Sequence, residues 1–166
     1  MKKILLILAM ALPMLATAQS NTKFGYVNTQ ELFALMPEVK GVQARLDSLN
    51  KQYEEMLLGM QDEYKKKLAD YEQKSATMTT AMKQIQEEEL VTMQQRIQTA
   101  YQTAQQDLQN KQQEYFVPIH ERMSKAIKTV GEKGGYTYIF ESASMVYTAP
   151  SADNVIEAVK KELGIK

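Results

Sequence analysis

The side chains able to do chemistry are few and scattered. His120 is the only histidine of the 166 residues, and there is no cysteine. A metal centre or an activated nucleophile needs a convergent set of ligands, or a base beside its nucleophile. No spacing of serine, histidine and carboxylate suggests one. Glu87-Glu88-Glu89 could hold a cation, but successive residues of a helix point in different directions, so the run reads as a solvated face. Lys65-Lys66-Lys67 reads the same way, with attraction to anionic groups as the lesser alternative. Gly25 lies in a strand-like stretch with no glycine-rich loop after it, so a phosphate loop is excluded and a close backbone approach is the simpler role. No catalytic, metal-ligating or cofactor-binding residue is assigned, no cofactor is expected, and an enzyme is not.

Methionine carries a different chemistry. Removing residues 1–18 leaves eight methionines, with Met56, Met60, Met78, Met82 and Met93 inside one long polar stretch. Most suit packing between helices. The flexible, polarizable thioether also suits surfaces that accept many sequences. Leu57, Leu58, Met60, Tyr64, Tyr71, Met78 and Met82 are the candidates for such contacts.

The element that positions them runs from Val39 to about Lys133. Between Pro37 and Pro118 there is no proline, and Gly41 and Gly59 are the only glycines. The residues are good helix formers. Apolar side chains recur at Val39, Val42, Leu46, Leu49, Tyr53, Met56, Met60, Tyr64, Leu68 and Tyr71. They recur again at Met82, Ile85, Leu90, Met93, Ile97, Tyr101, Ala104 and Leu108. Steps of three and four make this a coiled-coil seam, which a straight rod or a hairpin could carry. Ser and Thr compete for backbone hydrogen bonds, so Ser75, Thr77, Thr79 and Thr80 favour a bend there. The hairpin then has two arms of roughly 36 residues, about 54 Å each at 1.5 Å per residue. Reflection about Thr77 pairs Leu46 with Leu108, Tyr53 with Tyr101, Leu57 with Ile97 and Tyr64 with Leu90.

Lys2, Lys3, the apolar run Ile4 to Leu15 and Ala16-Thr17-Ala18 form a secretory signal peptide over residues 1–18. No later stretch could span a membrane. Of 20 basic and 20 acidic residues the leader holds two lysines. The mature chain is thus slightly acidic, with no reason to bind nucleic acid.

The ends are strand-like. Phe24, Tyr26 and Val27 lie in a short strand, and Asn28 caps a short helix with Glu31 as capping-box partner. Pro37 ends that helix and can open the long one. Beyond Pro118, which usually kinks a helix, Gly131 and Gly134-Gly135 end it. Tyr136, Tyr138, Ile139 and Phe140 belong to the strongest strand, with Met145, Val146 and Tyr147 as its partner across a turn. Ser151 or Asp153 caps a last helix closed by Gly164. The expected fold is mainly α with a small β part: a body of residues 19–38 and 116–166, and a helical-hairpin arm of 39–115 with its tip near 75–80. A body of about 70 residues with three short strands is marginal alone and leaves open edges. Association through Phe24, Tyr26, Val27, Tyr136, Tyr138, Ile139, Phe140, Val146 and Tyr147 would complete it.

The sequence resembles the Skp/OmpH family of periplasmic chaperones. The resemblance rests on Phe24-Gly25-Tyr26-Val27-Asn28 leading to Leu32-Phe33 and on the long helical stretch. It rests equally on Gly135 to Glu141, Val146-Tyr147 and Ser151-Ala152-Asp153. It implies a homotrimer whose strands complete a small barrel across subunits. Three helical arms would enclose a cavity that holds unfolded outer-membrane proteins without nucleotide. Family arms are often basic; here Asp62, Glu63, Asp70, Glu72 and Glu87 to Glu89 offset the lysines, so no lipopolysaccharide site is carried over. The expected function is an ATP-independent periplasmic holdase. A structural coiled-coil spacer or adaptor of the cell envelope is the alternative.

Overall fold

The structure, a computed structural model, describes residues 22–165. The signal-peptide expectation over 1–18 lies outside them. The protein is mainly helical with one three-stranded sheet: β1 (Phe24–Val27), α1 (Thr29–Leu35), α2 (Pro37–Lys74), α3 (Thr80–Gly134), β2 (Tyr138–Glu141), β3 (Asp153–Asn154) and α4 (Ile156–Leu163). Short 3-10 turns occupy Ser75–Thr77 and Ser142–Ser144. Two compact units divide the chain, one of residues 22–32 and 123–165, the other Phe33–Arg122.

Local signals account for the element ends. Asn28 Oδ1 accepts the Glu31 N–H at 3.0 Å and so caps α1. Pro37 occupies the first turn of α2, where its missing N–H costs nothing. The hydroxyl cluster makes the expected break: Thr77 Oγ1 donates back to Lys74 O at 2.9 Å, and Thr79 Oγ1 accepts from Met82 N as α3 begins. α3 runs unbroken past Pro118. It closes on Gly135, whose φ of 64° lets Tyr136 N reach Gly131 O at 3.0 Å.

In the Phe33–Arg122 unit, α3 returns alongside α2. Tyr53 Oη donates to Asp107 at 2.7 Å, Gln94 Nε2 donates to Tyr64 Oη at 2.6 Å, and Tyr71 Oη donates to Glu87. Lys67 pairs with Glu89 at 2.7 Å, and Arg122 pairs with Glu38. The register expected from reflection about Thr77 is therefore corrected. Tyr53 meets Asp107 rather than Tyr101, and Tyr64 meets Gln94 rather than Leu90, a turn or more along α3. The break extends to Thr79, so the chain reverses later than its compositional midpoint. Of the expected seam residues Val42, Leu90 and Ala104 are buried, Met56, Met82, Ile85 and Tyr101 are exposed and the others are half-buried, because two helices can cover only one face of each other.

The other unit holds the sheet. Its order is β2-β1-β3 and every pairing is parallel: Phe24 opposite Tyr138, Tyr26 opposite Phe140, Gly25 opposite Asp153. The third strand is thus not Met145-Val146-Tyr147. That segment follows a 3-10 turn and forms no strand, with Val146 and Tyr147 exposed. Asp153 and Asn154, poor strand formers, take the edge instead. Val155 N donates to Tyr26 O at 2.9 Å, and Asp153 is tied by Tyr136 Oη at 3.1 Å and Lys23 Nζ at 3.5 Å. Asn154 Oδ1, not Ser151 or Asp153, receives the first free N–H of α4, from Ile156 at 3.0 Å. Gly164 closes α4 as expected. Tyr136 precedes β2 rather than lying in it. The core beneath the sheet is Val27, Met123, Ala126, Val130, Val155, Val159 and Leu163.

Candidate binding surfaces

The residues first suspected of chemistry are each occupied separately. Glu87 accepts from Tyr71, Glu88 from Gln84, and Glu89 from Lys67: three carboxylates with three partners in different directions, as helix geometry requires. Lys65 pairs with Asp62 at 3.7 Å on its own helix. The His120 ring stacks on Phe33, centroids 4.6 Å apart, and Phe33 also meets Phe116 at 5.5 Å. Among the described residues no group of three or more His, Cys, Asp or Glu side chains converges. No helix among them is long and apolar enough to cross a membrane.

What remains is apolar surface, on both units. In the Phe33–Arg122 unit the seven candidates divide. Leu57, Met60, Tyr64, Tyr71 and Met78 are half-buried, most of them along the helix–helix seam, while Leu58 and Met82 are exposed, at 59% and 53%. The seam of α3 does not begin as its periodicity suggests. Lys83 and Gln86 take the half-buried positions, and Met82 and Ile85 turn outward. Met56, Val91 and Tyr101 are exposed too. The missed residues Ile85 and Val91 had no separate signal, since an apolar residue at helical spacing reads as seam.

Two tyrosines on the seam titrate abnormally. Tyr53 is held above the usual phenol range by its hydrogen bond to Asp107, with burial adding to it. Tyr71 is raised in the same way by Glu87.

In the sheet unit, residues alternate between faces. Val27 and Ile139 face the helices. Phe24, Tyr138 and Phe140 stand together on the other face, ring centroids 5.9 to 6.1 Å apart, Phe24 and Tyr138 stacked within 9°. All three are exposed, and Tyr26 between them is half-buried. Gly25 sits on the covered face, where a Cβ would come within 3.0 Å of Tyr136 and Val155; this is the close approach expected of it. Parallel sheets are ordinarily covered on both faces; here the face of Phe24, Tyr138 and Phe140 is bare among the described residues.

At the end of β2, Glu141 does work no motif announced. Burial disfavours its charge. Hydrogen bonds from the Thr29 hydroxyl and N–H, Ala143 N–H and Ser142 outweigh that and hold the carboxyl below its usual range. Thr29 N is 3.1 Å from Glu141 Oε2, so this carboxylate faces the positive end of α1.

Sequence and fold are both shared with known proteins. Residues 23–163 match the family model described as outer membrane protein (OmpH-like). The chain belongs to that family. The chaperone protein Skp of Yersinia enterocolitica is 26% identical over 162 residues, covering 97% of this chain and 99% of that one. The chaperone protein Skp of Pectobacterium atrosepticum is 24% identical, with 93% of each covered. The crystal structure of an OmpH-like outer membrane chaperone from Caulobacter crescentus has the same fold, with a TM-score of 0.75 at 16% identity over 88% of this OmpH-like chain and 86% of that one. The matched relatives are named as chaperones, not enzymes.

Proposed function

We propose that this protein is a periplasmic chaperone, not an enzyme, and that it acts as an ATP-independent holdase for unfolded outer-membrane proteins. The helix–turn–helix unit is the client-holding arm, and the sheet unit is the body that trimerises. Family membership supports the general class. The observation that carries the holdase reading is the outward-facing set Leu58, Met82, Ile85 and Val91. These apolar side chains lie on helices whose mutual seam is formed by other residues.

Unfolded barrel proteins expose apolar strands that pair and aggregate. Weak contacts from several arms, each gripping little, add up through avidity, and no nucleotide is needed because binding the unfolded chain alone prevents aggregation. The bare face of Phe24, Tyr138 and Phe140 supports trimer formation, since covering three aromatic rings would bring several kcal/mol at about 25 cal/mol per Å² of apolar surface. Export follows from the leader at residues 1–18.

The test is selective capture. Immobilised mature protein should retain an outer-membrane protein diluted from urea and ignore the same protein folded in detergent. Retention of one folded envelope partner and none of the unfolded chain would favour the spacer or adaptor reading instead.

A further inference from the structure

Between α2 and α3 the seam opens into a cleft of ≈ 560 Å³. Its α2 wall is Tyr53, Met56 and Met60; its α3 wall includes Arg96, Ala100 and Thr103. The opening has a local cause. Three large side chains face small alanines and threonines spaced by one helical turn, so the helices leave a gap that neither fills. Exposed Arg96 makes no ion pair among the described residues. Glu63 lines an adjoining small recess with it but lies beyond salt-bridge distance, and Asp107 is engaged by Tyr53. The site is therefore an apolar slot with an uncommitted guanidinium on its wall.

We infer that the slot takes one apolar side chain of an extended, unfolded polypeptide, and that Arg96 binds a carboxylate two residues along that same segment. This rests on the holdase reading and gives it a sequence preference. The thioethers of Met56 and Met60 adapt to aromatic or branched side chains alike. An unpaired guanidinium selects a carboxylate, which it can hold bidentately. In an extended chain, residues i and i+2 project from the same face, about 6.5 Å apart, while i+1 projects away. An acidic residue two positions on can reach Arg96 while the apolar side chain fills the slot; an adjacent one cannot.

Two labelled peptides test this by fluorescence anisotropy with the full mature protein. Both are extended Ser/Thr sequences with one central Phe; one has Glu two positions on and the other Gln. The Glu peptide should bind about fivefold more tightly at low salt, the advantage fading as salt rises. Arg96→Gln should erase the difference, Arg45→Gln elsewhere on α2 should not, and Thr103→Trp, at an exposed position, should weaken both peptides by filling the slot. Equal binding of the two peptides, or a preference that survives Arg96→Gln, would overturn the inference. An aggregation assay on the same preparations separates the two levels. Protection of an unfolded client without peptide preference removes the slot and leaves the holdase. A peptide preference without protection keeps the slot as a peptide site and removes the holdase.

Discussion

Glu141 links β2 to the start of α1, and its depressed carboxyl sets an acid sensitivity. Its folded pKa lies below the ordinary carboxylate value of about 4.3. Its contribution is therefore complete above that value, declines as pH falls through it, and is lost below the folded pKa. Glu141→Gln should cost about 1 kcal/mol at neutral pH, the scale of a helix N-terminal interaction. Denaturant melts should show the difference from wild type shrinking below about pH 4. A difference that stays constant into acid would mean the charge is irrelevant. The seam tyrosines have the opposite sign: Tyr53 and Tyr71 are raised, so their hydrogen bonds persist below the usual phenol pKa and are lost as pH climbs through the folded one. Residues acting through their own backbone neighbourhood were legible in the sequence, as Asn28, Pro37 and Gly164 illustrate. Glu141 was not, because its partner Thr29 lies 112 positions away and is brought close only by strand pairing.

At the scale of elements, the seam was legible as a period but not in its phase. The 3-10 turn at Ser75–Thr77 resets the helical phase, so Lys83 and Gln86 replace Met82 and Ile85 inside. Strand propensity likewise named Val146 and Tyr147, but the third strand is Asp153–Asn154 beside β1, two residues of low strand propensity that no pattern picks out. The observed register has a direct check in the Lys67–Glu89 ion pair. Lys67→Glu and Glu89→Lys should each lower the melting temperature, and the double reversal should recover part of the loss, with a coupling of about 0.5 kcal/mol because the pair is partly exposed. Additive losses would place the two side chains apart. A second check separates seam from surface. Leu58→Gln, Met82→Gln and Ile85→Gln together should leave the melting temperature nearly unchanged, since these positions are already exposed. They should reduce client protection severalfold if many weak contacts act together. Leu57→Gln, on the seam, should do the reverse and lower stability first.

For the whole molecule, assembly and holding are proposed to belong to different units. Tyr138→Asp places a charge on the aromatic sheet face beside Phe24 and Phe140. If the proposed trimer covers that face, an unpaired charge there costs several kcal/mol, and light scattering should report a smaller mass than for the wild type. An unchanged mass would show that this face is not the interface. The split of the chain into two compact units follows the composition, polar helix formers in the middle and aromatic residues at both ends.

Whether the helix–turn–helix holds the client is decided by shortening it along the observed register. Deleting residues 61 to 97 and joining Met60 to Gln98 through a short turn removes matched lengths of α2 and α3 and keeps the sheet unit intact. The measurement is light scattering of an outer-membrane protein diluted from urea in the presence of each chaperone. The shortened protein should keep the wild-type oligomeric mass and lose most of its suppression of aggregation. A shortened protein that protects the client at wild-type stoichiometry would contradict this and move the binding surface to the sheet unit.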